Sequence, residues 1–119
     1  MILGAIRFPS LFAAGEAGLD LAYRMGQVAA EEGRALGFNW TLGPCVDPLI
    51  NPDTPTVGYR SAGRSIDRVI EIGNAYIKGT QDFGMMSTAK HFPGDGICIY
   101  DQHLTTPENP LPIEEWRSI

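Results

Sequence analysis

Cysteine is scarce in this chain: Cys45 and Cys98 are the only two among 119 residues, and their surroundings differ. Neither belongs to a Cys-x-x-Cys pair, which excludes a disulfide framework and a zinc ribbon and favours a reducing compartment. Basic charge is also short, with nine Lys and Arg against fourteen Asp and Glu and a formal net charge of −5. The nine are scattered rather than gathered, so a nucleic-acid surface is not expected. No apolar run approaches the length of a membrane span. The opening MILGAIRFPSLFAA lacks a basic start and is interrupted by Arg7 and Pro9, unlike an export signal. The expectation is a cytoplasmic protein with no nucleic-acid and no membrane partner. Internal repeats and low-complexity tracts are missing too.

What remains is an ordinary globular composition, 44% hydrophobic and 19% charged, long enough for one small domain over residues 1–119. Asp20 can cap a helix whose apolar face is Ala22, Met25, Ala29 and Leu36, with Gly33 on the same face and Gly37 as its stop. Small residues on that face predict close packing on a sheet. Phe38 to Val46 alternates as a short strand ending near Asp47, limited by Pro44. Residues 48–64 hold Pro48, Pro52, Pro55, Gly58 and Gly63 and read as a long irregular loop. Ser65 caps a second helix, with Ile66, Val69, Ile70, Gly73, Tyr76, Ile77 and Thr80 on its repeat until Gly84. Met85 to Ala89 reads as a buried strand, followed by a second loop to about Leu111. Pro112 sits as the first residue of a last helix. This alternation predicts an α/β fold with parallel strands and crossover helices.

The chemistry gathers after the strands, where active sites of parallel α/β folds are built. Lys90 to His103 reads KHFPGDGICIYDQH. It places a Lys-His pair at a strand end, then a Gly-rich turn, then Asp101 and His103 two apart. A carboxylate beside an imidazole orients the ring, favours its protonated form and makes it a general acid or base near neutral pH. Blander roles compete with this. His91 can be a bonded core histidine, and Lys90 requires either a ligand or an ion pair with Asp47. Arg60 can pin carbonyls of its own Pro-rich loop, and Asp47 suits a carboxylate anchoring a loop through backbone amides. Asp101, His103, His91 and Asp95 as metal ligands form a weaker reading, since no helical ligand spacing fixes them. Gly94 and Gly96 look like turn glycines. No metal and no cofactor is expected.

The motif KHFPGDG…DQH, preceded by NPDTPTVGYRS, resembles glycoside hydrolase family 3, in particular its β-N-acetylhexosaminidase branch. The resemblance runs from about Leu19 to the chain end and includes EEGRALGFNWTLGPCVDP. It implies a portion of a (β/α)8 TIM barrel, since a complete one needs roughly 250 residues. It also implies hydrolysis of a terminal β-linked N-acetylhexosamine with retention, so the partner is a carbohydrate, an aminosugar glycoside. By position, Arg60, Lys90 and His91 match sugar-binding residues. Asp101 and His103 match the Asp-x-His dyad, in which His103 protonates the leaving oxygen and later activates water while Asp101 holds it. Asp95 stands where the branch usually has His, Ile97–Cys98–Ile99 replaces a more acidic stretch, and Gln102 replaces a Ser. The family's aspartate nucleophile has no counterpart in this sequence, and a retaining glycosidase needs both its acid/base group and its nucleophile. Two expectations follow: the acid/base portion of a hydrolase, or a sugar-binding piece inactive by itself. Either leaves open barrel edges through which the chain can self-associate.

Overall fold

The structure is a computed structural model and describes residues 4–118. It opens with a helix that the apolar pattern does not reveal, α1 (Leu11–Ala17), capped by Ser10, whose Oγ accepts the Ala13 amide at 3.1 Å. Gly18, at φ +121°, turns the chain directly into α2 (Leu19–Ala35). That backbone is open to glycine and strained for other residues, so Gly18 rather than Asp20 occupies the cap. Asp20 lies in the first turn, where its charge favours the helix N-terminus. Leu36, expected in the core, lies beyond the helix end and is exposed.

The second long helix, α3 (Ile66–Asp82), starts at Ser65 as the sequence predicts, and Gly84 follows its end at φ +77°. Its contact with α2 is the largest between elements, and two glycines explain why. A Cβ at Gly26 would lie 2.2 Å from the Tyr76 carbonyl oxygen, and one at Gly79 would lie 2.1 Å from that of Tyr23. The two backbones touch there. Gly26 of α2 therefore serves a helix–helix crossing, while Gly33, on the face expected to meet the sheet, lies against Met85 at the entry to the second strand. Ala22, Ala62, Val69 and Ile72 form the core, with Leu11, Val46 and Ala75 packed against them.

Two parallel strands, β1 (Trp40–Thr41) and β2 (Met86–Ser87), pair Trp40 with Met86 and Thr41 with Ser87. Both are shorter than the sequence predicts. The next bridge joins Cys45 to Lys90, so residues 42–44 stand opposite only 88–89, one extra residue on the first side. Thr88 donates its amide toward both Thr41 and Gly43 carbonyls at 3.1 Å. That is a bulge, placed where Pro44 has no N–H to continue a ladder. One sheet face is covered by α3, where Thr80 Oγ1 bonds Ser87 Oγ. The other carries Trp40 and Met86 and is largely bare.

The two loops after the strands are stitched together. Asn51 donates its amide to the Gly96 carbonyl at 2.9 Å, and Thr54 Oγ1 donates to the Asp95 carbonyl at 3.2 Å. Gly96 is more than a turn glycine, because a Cβ there would sit 1.9 Å from the Pro48 carbonyl oxygen. The first loop is not wholly irregular, since Gly58–Arg60 makes one 3-10 turn. A last short helix, α4 (Ile113–Trp116), follows Pro112, which sits at the cap, one position earlier than expected.

Candidate active site

Past the bulge, β1 delivers Cys45 and Asp47 beside Lys90 and His91 from β2. The chain secures this junction by backbone bonds, Lys90 N–H to the Pro44 carbonyl at 3.0 Å and Val46 N–H to the Lys90 carbonyl at 2.6 Å. The Lys90–His91 peptide is cis. Asp47 is the hub. Its side chain is fully buried, and Oδ2 accepts the His91 amide at 3.0 Å and the His91 ring Nδ1 at 2.6 Å. Oδ1 accepts the Asp95 amide at 2.7 Å, and the Cys45 thiol donates to Oδ2 at 3.3 Å.

Burial alone would push the Asp47 carboxyl up, but the amides of Asp95 and His91, the ring and the thiol together hold it below the usual carboxylate range. Burial pushes the Cys45 thiol up to about 11. With Nδ1–H donated to Asp47, the neutral His91 ring keeps Nε2 as an acceptor. The expected amide-anchoring role of Asp47 is thus realised, though on the opposite loop. The expected ion pair with Lys90 is not formed among the described residues, because the bonds from His91, Asp95 and Cys45 take up its oxygens.

His91 is one-fifth exposed and lines an open cavity of about 520 Å³ together with Lys90, Asp95, Gln102, Asn109 and Trp116. Lys90 also lines a second cavity, of about 300 Å³, shared with Cys45, Tyr59, Arg60 and Tyr76. Arg60 donates through Nη2 to the Thr56 carbonyl of its own loop, which is the pinning role anticipated as its alternative. Lys90 thus stands between His91 on one side and Arg60 on the other.

Asp101 and His103 form a compact unit of their own. Asp101 Oδ1 accepts the His103 amide at 2.9 Å and the His103 ring Nδ1 at 2.6 Å, the two bonds of a local turn. Those bonds, the amide first, hold the Asp101 carboxyl below its ordinary value. His103 is three-quarters exposed, so Nε2 is free for chemistry. Neither residue lines the cavity of Lys90 and His91. Gln102, between them, does. The turn explains this, because folding His103 back onto the Asp101 carboxylate turns the residue between them to the other side.

The sequence of residues 2–119 matches the model of the glycosyl hydrolase family 3 N-terminal domain. The chain belongs to that family. It is 39% identical over 97 residues to a β-N-acetylglucosaminidase/β-glucosidase of Cellulomonas fimi, covering 82% of this chain and 17% of the relative. It is 36% identical to a β-hexosaminidase of Actinobacillus pleuropneumoniae serotype 5b (strain L20), covering 79% of this chain and 27% of the relative. Native NagZ from Neisseria gonorrhoeae superposes with a TM-score of 0.90 at 30% identity, over 99% of this chain and 36% of that one. The β-glucoside phosphorylase BglX bound to 2FGlc gives 0.90 at 36% identity, over 96% and 21%. This family 3 chain therefore spans well under half the length of these relatives, and its fold is a portion of a TIM-type α/β barrel.

Cys45 and Asp47 are residues of this junction to which sequence reasoning gave no functional role, while Asp95 entered it only as a candidate metal ligand. Asp47 carried one usable signal, its place immediately after a strand's carboxyl end.

Proposed function

We propose that this chain supplies the acid/base half of a retaining β-N-acetylhexosaminidase, with Arg60, Lys90 and His91 contributing to the sugar subsite. The observation that carries the reading is the 2.6 Å contact between His103 Nδ1 and Asp101. It fixes the ring through Nδ1 and leaves Nε2 of the exposed ring to exchange a proton. His103 as imidazolium donates that proton to the leaving oxygen as the glycosidic bond breaks, and the neutral ring then takes one from water. His91, held by Asp47, offers an acceptor to a ring hydroxyl, and Lys90 offers donors beside it. The β-hexosaminidases among the relatives and the NagZ complex with N-trifluoroacetyl-D-glucosamine support an aminosugar, while the β-glucosidase activity named for the Cellulomonas fimi relative and the β-glucoside phosphorylase BglX make a glucoside the competing substrate class.

Retention also needs a nucleophilic carboxylate, and the family position for it has no match in this sequence. The 119 residues by themselves are therefore proposed to bind sugar weakly and not to turn over. Stopped-flow release from an aryl N-acetylglucosaminide tests both statements. The chain alone should give no burst, and the chain joined to the remainder of a family 3 barrel should give one. A burst from the chain alone would overturn the division of labour, and no burst from the completed barrel would overturn the activity.

A further inference from the structure

Around His91 a thiol, a carboxylate and an imidazole meet at one point, with a second carboxylate, Asp95, beside them. Cys45 Sγ lies 3.3 Å from Asp47 Oδ2. His91 Nδ1 lies 2.6 Å from that oxygen and 3.5 Å from Asp95 Oδ2. The donors of Cys45, Asp47 and His91 all fall within 4.8 Å of one another. Asp95 supplies a separate observation: its Oδ2 is buried without any hydrogen-bond partner, in a residue 8% exposed. An orphaned carboxylate oxygen is costly unless something satisfies it, and here it lies at the edge of the three-donor group, 3.5 Å from the His91 ring nitrogen.

Zinc–ligand bonds of ~2.0–2.3 Å place tetrahedral donors about 3.3–3.7 Å apart. The contacts at 3.3 and 3.5 Å already have that spacing. The shorter one, between Asp47 and His91, contains a hydrogen bond and opens once the proton between them leaves. A thiolate and an imidazole select a borderline-soft ion over magnesium or calcium, which take oxygen alone.

We propose that Cys45, Asp47, His91 and Asp95 form a binding site for one divalent cation of the zinc class, separate from the Asp101–His103 pair. Binding takes the thiol proton from Cys45 to solvent and moves the His91 proton from Nδ1 to Nε2. The ring nitrogen left for the cavity then donates where it had accepted. Where His91 meets a sugar, which rests on the function proposed above, cation loading would reverse the hydrogen bond it offers.

The test is titration of the whole chain with Cd(II), reading thiolate-to-metal charge-transfer absorption, and with Zn(II) by equilibrium dialysis. One cation per chain is expected. The band should be lost in Cys45→Ser and kept in Cys98→Ser, with thermal melts confirming that both variants fold. Asp95→Asn should weaken Zn(II) at least tenfold. A wild-type chain without the band, a band that follows Cys98, or unchanged affinity in Asp95→Asn would each overturn the four-donor site. Enzymatic activity enters none of these readouts, so their failure leaves the glycosidase reading standing.

Discussion

At the scale of single residues, Asp47 shows how one carboxylate can organise two loops. Hydrogen bonds to a charged acceptor contribute about 1.5–3 kcal/mol each, so Asp47→Asn, which reverses one side of the acceptor, should cost about 2–4 kcal/mol in urea unfolding at neutral pH. The sign of its pH dependence follows from its lowered value. The stabilisation is fully present above the unfolded carboxylate range near 3.9 and is lost as pH falls through the lower folded value. The gap between wild type and Asp47→Asn should therefore narrow below about pH 4. A gap constant from neutral pH to pH 3 would mean that Asp47 is not the ion in question. Sequence distance decides which of the two Asp–His pairs is legible. Asp101 and His103 lie two apart and make a local turn, whereas Asp47 and His91 lie 44 apart and meet only through the parallel pairing of their strands.

Among the elements, the α2–α3 crossing depends on glycine at positions where propensity argues for alanine. Alanine is favoured over glycine in a helix by about 1 kcal/mol, yet a Cβ at Gly26 or Gly79 would meet a carbonyl oxygen at 2.2 or 2.1 Å. Forcing two packed backbones apart costs about 1–3 kcal/mol or more, so the clash should win. Gly26→Ala and Gly79→Ala are each expected to lower the melting temperature, and a rise in both would show that the helices separate freely. The start of α3 was readable, because Ser65 caps it through its own side chain. Its buried face was only partly so. Val69, Gly73 and Thr80 are buried as the repeat predicts, but Ile72 is in the core while Ile70 is exposed. Helical spacing fixes which residues share a face, and neighbours decide how wide the covered stripe becomes. α1 escaped notice for a related reason, since seven residues are too few to establish a repeat. The strands came out short because a bulge at Gly43–Pro44 is a property of the pairing, which alternation along one chain does not encode.

For the molecule as a whole, the bare sheet face is the main consequence of the partial barrel. Phe38, Trp40 and Leu42 from the first strand region and Met86 from the second are all more than half exposed, and both strands have an open edge. Such a surface associates in water. Sedimentation of the chain should show concentration-dependent self-association, weakened by Leu42→Lys, and a monomer at all concentrations would refute it. Family membership and barrel class were legible from the KHFPGDG and Asp-x-His motifs. The relation of the dyad to the cavity of Lys90 and His91 was not, because Gln102 lines that cavity and His103 does not, a consequence of the local turn. The dyad itself is the central claim, and one measurement bears on it most directly. In a complete family 3 barrel containing this segment, kcat/KM is compared for alkyl and 4-nitrophenyl N-acetylglucosaminides with and without His103→Ala. Loss of a general acid should slow the alkyl glycoside, which needs protonation, by about 10²–10⁴-fold, and the nitrophenyl glycoside far less. Equal slowing of both would contradict the account and leave His103 a supporting residue.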